Sequence, residues 1–161
     1  MDQRDKDRLL WNLRSLPNEL DDLLRDLDEE MLRWRPIPNK WSIKEIMCHL
    51  RDMERLAYLA RYRRMLTEEN PVLPNVDQDQ IALETDYINQ DTKAALEEFK
   101  RLRWETLQTL SSAPIEAWSR GGVHEIDGPM TIEQLVVRHI KGNDMNHLVQ
   151  MKDIVRLKMP W

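Results

Sequence analysis

The 161-residue sequence predicts an all-α protein, a four-helix bundle with a long linker after helix two. Three observations carry that expectation. Apolar residues recur at spacings of three and four in four long stretches, the period of a helix with one buried face. Side chains able to cap a helix, Ser42, Asp91 and Thr131, stand directly before three of these stretches. The chain has only four glycines, and no run of alternating apolar and polar residues marks a strand. The length suits one domain with a proper core, so residues 1–161 read as a single domain.

Helix one spans residues 7–27, where Leu9, Leu10, Leu13, Leu16, Leu20, Leu23, Leu24 and Leu27 form the stripe. Pro17 interrupts it, and proline inside a helix removes a hydrogen bond, so a kink or break near Ser15 is expected. Residues 31–40 hold Pro36 and Pro38 and read as a connector. Helix two starts at Ser42, with Glu45 three residues on to complete a capping box and Trp41 and Ile46 as a hydrophobic staple. It runs to about Leu66, with Ile46, His49 or Leu50, Met53, Leu56 or Ala57, and Ala60 facing inward. Residues 68–80, with Pro71 and Pro74, read as a loop, and residues 81–88 as a short helix, giving a linker of about 25 residues in all. Asp91 caps helix three, which runs from Thr92 to about Leu110, with Ala95, Leu96, Phe99, Leu102, Leu107 and Leu110 mostly inward. Residues 111–120 form a connector, and Gly121, Gly122, Gly128 and Pro129 bracket a turn-rich segment that contains His124. Helix four follows over residues 131–152, with Thr131 and Gln134 as its capping box.

Composition narrows the function. A net charge of −5 argues against a nucleic-acid binder, which shows a basic domain. Arg61, Arg63 and Arg64 are flanked by glutamates and read as a solvated helix face. Cys48 is the only cysteine, so no internal disulfide is expected, and it reads as a core thiol. No run approaches the roughly 18 apolar residues of a spanning helix, and the first residues lack the apolar core of a secretory leader, so no membrane association and a cytoplasmic protein are expected. Trp104 and Trp118 read as core or interface anchors.

The informative stretch is helix four. Leu135, His139, Asn143, His147 and Met151 recur every four residues and share one face, whose middle three members are polar. Buried polar side chains cost free energy unless each finds a partner or binds something. Metal sites in bundles are built from inward side chains on facing helices, which makes His147 and the inward His49 candidate ligands. His139 is expected to stay outside such a site and to bond Asn143, because eight residues place it about 12 Å along the axis from His147. Asn143 stands one turn before His147, where a third histidine would serve. His124 reads as a surface residue of its loop.

These pieces resemble the DinB-like superfamily of four-helix-bundle proteins. The matching segments are residues 35–42 (RPIPNKWS), residues 43–46 leading to His49 and Leu50, residues 77–79, and residues 144–151 (DMNHLVQM). The resemblance runs from about Leu9 to Val155. It implies a divalent-metal site, with zinc or nickel expected, held by one histidine on helix two and a His-x-x-x-His pair on the last helix. His49 and His147 match two of those positions, and Asn143 replaces the third. An amide oxygen is a poor substitute for imidazole on zinc or nickel. Asp52, one turn after His49, and Asp144 are the carboxylates expected to compensate or to orient ligands, with His139 beside them. The resemblance further implies a metal-dependent enzyme of the thiol-transferase or hydrolase type, acting with a small-molecule thiol or another small ligand, and a homodimer. The alternative is a metal-free bundle that binds a small molecule or is purely structural.

Overall fold

The computed structural model of the chain describes residues 1–159. Helix α1, Gln3–Leu24, starts earlier than its leucine stripe because Asp2 and Asp5 form a capping box. It runs unbroken through Pro17. The missing proline N–H leaves the carbonyl of Leu13 without its helical partner. Arg103 fills that role, donating to Leu13 O at 2.8 Å. The proline therefore opens an acceptor inside the bundle instead of breaking the helix.

A short helix, α2 (Glu29–Arg33), lies in the connector. Helix two is α3 (Ile43–Met53), a π-helical segment (Glu54–Leu59) and α4 (Ala60–Thr67), with Ser42 and Glu45 making the expected capping box. Nearly every side chain of α3 is buried, polar ones included. The linker holds β1 (Val72–Leu73) and α5 (Gln78–Glu84). Helix three is α6 (Thr92–Ser112), and Asp91 accepts a bond from Ala94 N as its cap. Helix four is α7 (Ile132–Arg138), a second π-helical segment (His139–Met145) and α8 (Asn146–Lys158), again with the expected Thr131–Gln134 box.

The structure adds a small sheet to the bundle. Strand β2 (Gly121–His124) pairs antiparallel with β3 (Gly128–Thr131) and parallel with β1. The strands hold two to four residues each and are too short for alternation to register in the sequence. Two glycines serve this sheet directly. A Cβ at Gly122 would lie 2.9 Å from a Leu73 methyl, and Gly128 has φ +78° at the start of β3.

The core has two apolar clusters. One joins Leu13, Met53, Tyr62, Trp118 and Leu135; the other joins Leu20, Ile46, Leu50, Phe99 and Met151. Along helices two, three and four the chain passes from one to the other through buried polar residues: Asp52 and Glu54, Arg103 and Thr106, Asn143 and Asp144. A polar layer thus crosses the bundle, and the two π-helical segments contribute Glu54, His139, Asn143 and Asp144 to it. Such segments are frequent at functional sites. Trp118 is a core residue, Trp104 is 62% exposed, and Trp161 lies outside the described residues. Among the described residues no helix is long and apolar enough to cross a membrane.

Candidate functional site

The face of helix four divides in two. His139 belongs to the sealed polar layer. Its ring is fully buried, Nδ1 lies 3.1 Å from the Tyr62 hydroxyl and Nε2 2.8 Å from Glu54 Oε2. It stacks on Tyr58 with ring centres 3.6 Å apart. It makes no bond to Asn143, contrary to expectation. At the centre of this layer Arg103 makes paired bonds to both Glu54 (2.9 Å) and Asp144 (2.8 and 2.9 Å). Burial pushes the Glu54 carboxyl up, but the Arg103 charge and the hydrogen bonds from Arg103 and His139 outweigh it and hold Glu54 well below the usual carboxylate range. The sequence reading missed Arg103 and Glu54. Arg103 sits four residues after Phe99 on the inward stripe of helix three, and that placement is the signal that could have revealed it.

His147 turns instead toward helix two. Its Nε2 lies 3.0 Å from Nε2 of His49, with the rings edge to face. The Nδ1 of His147 lies 3.0 Å from Gln150 Oε1, an acceptor, so the proton sits on Nδ1 and the Nε2 lone pair faces His49. Trp41 packs against the His49 ring at 4.8 Å. Burial, then the neighbouring His147, lowers the His49 pKa to about 3; burial also lowers that of His147. Both imidazoles are therefore neutral at physiological pH, the form that binds metal.

These two rings line a cavity of about 220 Å³ shared with Asn143, Tyr58, Arg61 and His124. A larger groove of about 380 Å³, between the end of α1 and the start of α6, holds no histidine and lies away from this chemistry. Asn143 donates its amide nitrogen to Asp144 Oδ1 at 3.1 Å. A carboxylate that already pairs with Arg103 accepts and does not donate, so the Asn143 oxygen is the end left for the cavity. Asp144 thus serves the site through Asn143 and belongs otherwise to the polar layer. Asp52 does not meet the expectation that it orients a ligand. It accepts from the Tyr87 hydroxyl (2.6 Å) and Arg51 Nε (2.9 Å) and makes no bond to His49, whose Nδ1 is buried without a partner.

Two residues read as exposed in the sequence close the cavity. His124, 4% exposed, stands at the end of β2, where its Nδ1 accepts the backbone N–H groups of Ile126 and Asp127. Arg61 leaves the solvated face occupied by Arg63 and Arg64. It donates to Pro74 O at 3.0 Å, and its Nη2 lies 3.1 Å from His124 Nε2. Only the sheet brings these residues together, so helical periodicity carries no trace of the pair. Cys48 is buried as expected, and burial pushes its thiol up to about 11.

The donor set can be tested against a divalent ion. Bonds of 2.0–2.1 Å in tetrahedral geometry separate two nitrogens by about 3.3 Å, close to the observed pair. The spacing of the two imidazoles suits a divalent ion, and Asn143 lines the same cavity. They fall short of a three-imidazole set, and among the described residues no group of three His, Cys, Asp or Glu side chains could hold a metal. A ligating histidine usually donates its second N–H to an acceptor, and His49 has none.

Comparison with known proteins agrees with this architecture. The family model described as the DinB superfamily matches residues 12–151. A Bacillus licheniformis protein named "Putative metal-dependent hydrolase" is 27% identical, the match covering 99% of this chain and 90% of that protein. A protein of the same description from Oceanobacillus iheyensis is 22% identical over 89% of this chain and 81% of its own length. The solved structure of YfiT from Bacillus subtilis, described as a probable metal-dependent hydrolase with an unusual four-helix bundle topology, superimposes with a TM-score of 0.90 at 20% identity, covering 100% of this chain and 91% of that one. With its bundle, its inward histidines and a family match over most of its length, the chain belongs to the DinB superfamily.

Proposed function

We propose that this chain is a metal-dependent hydrolase whose divalent ion is held by His49 and His147, with the Asn143 amide oxygen as a weak third ligand. The observation that carries the reading is the 3.0 Å approach of two neutral, inward Nε2 atoms at the wall of a cavity. A bound divalent ion would lower the pKa of water and so supply a nucleophile at neutral pH. The chain's own residues do the rest. Gln150 holds the His147 tautomer that presents Nε2. Asp144, itself clamped by Arg103, turns the Asn143 oxygen toward the cavity. Burial keeps both imidazoles unprotonated. The relatives' names support the reaction class.

The same residues would serve a transferase that uses a small-molecule thiol as nucleophile, with zinc or nickel as the ion. Exposed Trp11 and Trp104 supply apolar surface for a homodimer, and a cytoplasmic setting fits a single unpaired thiol. Asn143 and the unpartnered Nδ1 of His49 favour a second reading, a cavity that binds its ligand without metal.

Metal content of untagged protein, measured by mass spectrometry, separates the two. About one equivalent of a transition ion per chain, lost in His49→Ala, is the expected result for a site of this kind. Protein that neither carries nor takes up metal on titration leaves the second reading.

A further inference from the structure

Arg61 and His124 meet across the cavity in an arrangement that is chemically incomplete. The Nδ1 of His124 accepts two backbone N–H groups, from Ile126 at 3.2 Å and Asp127 at 3.1 Å. Asp127 Oδ2 is also near, at 3.3 Å, but it already accepts from Arg138 at 2.6 Å. Two N–H groups aimed at one ring nitrogen require a lone pair there, so the proton of a neutral His124 is on Nε2. Arginine has no acceptor. The 3.1 Å approach of Arg61 Nη2 to His124 Nε2 therefore sets two donors side by side.

The same molecule shows how such a pair is completed. In the sealed layer, Arg103 Nη2 and His139 Nε2 are also 3.1 Å apart. They tolerate that distance because both donate to one carboxylate oxygen, Glu54 Oε2, at 2.9 and 2.8 Å. Beside Arg61 and His124 the described residues supply no such oxygen. Among the described residues no carboxylate lies within 4 Å of the Arg61 guanidinium, and its Nε is buried without a partner. Burial lowers the Arg61 pKa, as expected of a cation short of countercharge. Arg138, the other cation on the cavity wall, is already paired with Asp127.

From this geometry we infer that the cavity binds an oxyanion, a carboxylate or phosphate carried by the substrate, between the Arg61 guanidinium and His124 Nε2–H, with the rest of the substrate reaching toward His49 and His147. The inference rests on the reading of this cavity as the functional site and adds the charge class of what enters it. A volume of about 220 Å³ restricts the ligand to a small one. Hydrogen bonds in which both partners are ionised, and forked contacts from arginine, are the strong ones, which makes Arg61 the anchor.

The test titrates acetate and inorganic phosphate into the full chain and follows the backbone amides of Ile126 and Asp127 by NMR, since both donate to His124. Arg61→Met keeps the side-chain stem and removes the guanidinium. Arg63→Met, on the exposed face of the same helix, makes the same change in net charge elsewhere. Saturable shifts are expected in the native chain and in Arg63→Met, with affinity at least about tenfold weaker in Arg61→Met, as loss of a charged hydrogen bond implies. Tighter acetate assigns a carboxylate; tighter phosphate assigns a phosphate ester. Absence of saturation with both probes, or equal affinity in Arg61→Met, overturns the inference. His49→Ala and the metal content of every sample keep the two readings apart. Arg61-dependent binding that persists in His49→Ala upholds the oxyanion site even where no metal is found. Metal at one equivalent without Arg61-dependent binding overturns the oxyanion site and leaves the metal reading intact.

Discussion

Two arginine–histidine pairs, one joining helices three and four and the other joining helix two to strand β2, differ in one atom's worth of chemistry. Arg103 and His139 share the Oε2 of Glu54 and are sealed from water, with Asp144 and the Leu13 carbonyl using the remaining guanidinium donors. Arg61 and His124 stand at the same mutual distance and have no shared acceptor. A satisfied polar cluster holds a fold together; an unsatisfied one on a cavity wall is ready for a ligand. The contrast separates the two pairs more sharply than burial does, because both hold inward polar groups.

Breaking the sealed pair gives the largest expected effect. Arg103→Met strands Glu54 and Asp144 as buried charges, and removing one member of a buried ion pair costs about 3–5 kcal/mol. For a chain of this size that is a fall in melting temperature of roughly 10 °C, read by circular dichroism. If Arg103→Met melts with the native chain, the layer is not the structural element described.

Asn143→His sharpens the metal side of the comparison. It supplies a third imidazole one turn before His147 and is expected to raise zinc or nickel affinity by at least about tenfold in calorimetric titration. Unchanged affinity would mean that position 143 does not face the ion.

Acid separates the clusters by pH window. The His49 pKa is depressed to about 3, so between about 3 and the ordinary histidine value near 6.5 the unfolded chain binds a proton that the folded one refuses. Stability of chelator-treated protein therefore falls as pH drops below about 6.5, by up to about 1.4 kcal/mol per pH unit for each such group. Glu54 is held below the usual carboxylate range, so its contribution is present above about 4.3 and is lost as pH falls further. His49→Leu should reduce the slope of the denaturant-stability profile between about pH 3 and 6.5 and leave the Glu54 contribution below about 4.3 in place. A profile flat down to about pH 4.5 in the native chain would contradict the neutral buried histidine.

The smallest expected effect is the most discriminating. Arg61→Met, without ligand, strands no partner charge and loses only the bond to Pro74 O, so stability should fall by no more than about 1.5 kcal/mol. A loss comparable to that of Arg103→Met would show that the second pair is structural after all.

Features that depend on neighbours three or four residues apart were legible in the sequence. The Ser42–Glu45 and Thr131–Gln134 boxes, the Asp91 cap and the inward placement of His49, Asn143 and His147 follow from local hydrogen bonding and helical period, and the structure has each. Of the kink or break expected near Ser15, no break forms, and the Leu13 acceptor that the proline frees is used by Arg103, 90 residues away. Asp52 and His139 illustrate the same limit: periodicity turned both inward, and Tyr87, Glu54 and Tyr62 decided what each would bond. Likewise the sheet pairs Val72 with Val123 across the linker and so carries His124 onto Arg61. The sequence by itself determined the bundle, its caps and which polar residues lie within reach of its interior, since these are set by short-range geometry and by the free energy of burying apolar faces. Only the tertiary structure decided which of those polar groups are satisfied and which still lack a partner, because a hydrogen bond across the core depends on residues that meet only after the chain has closed.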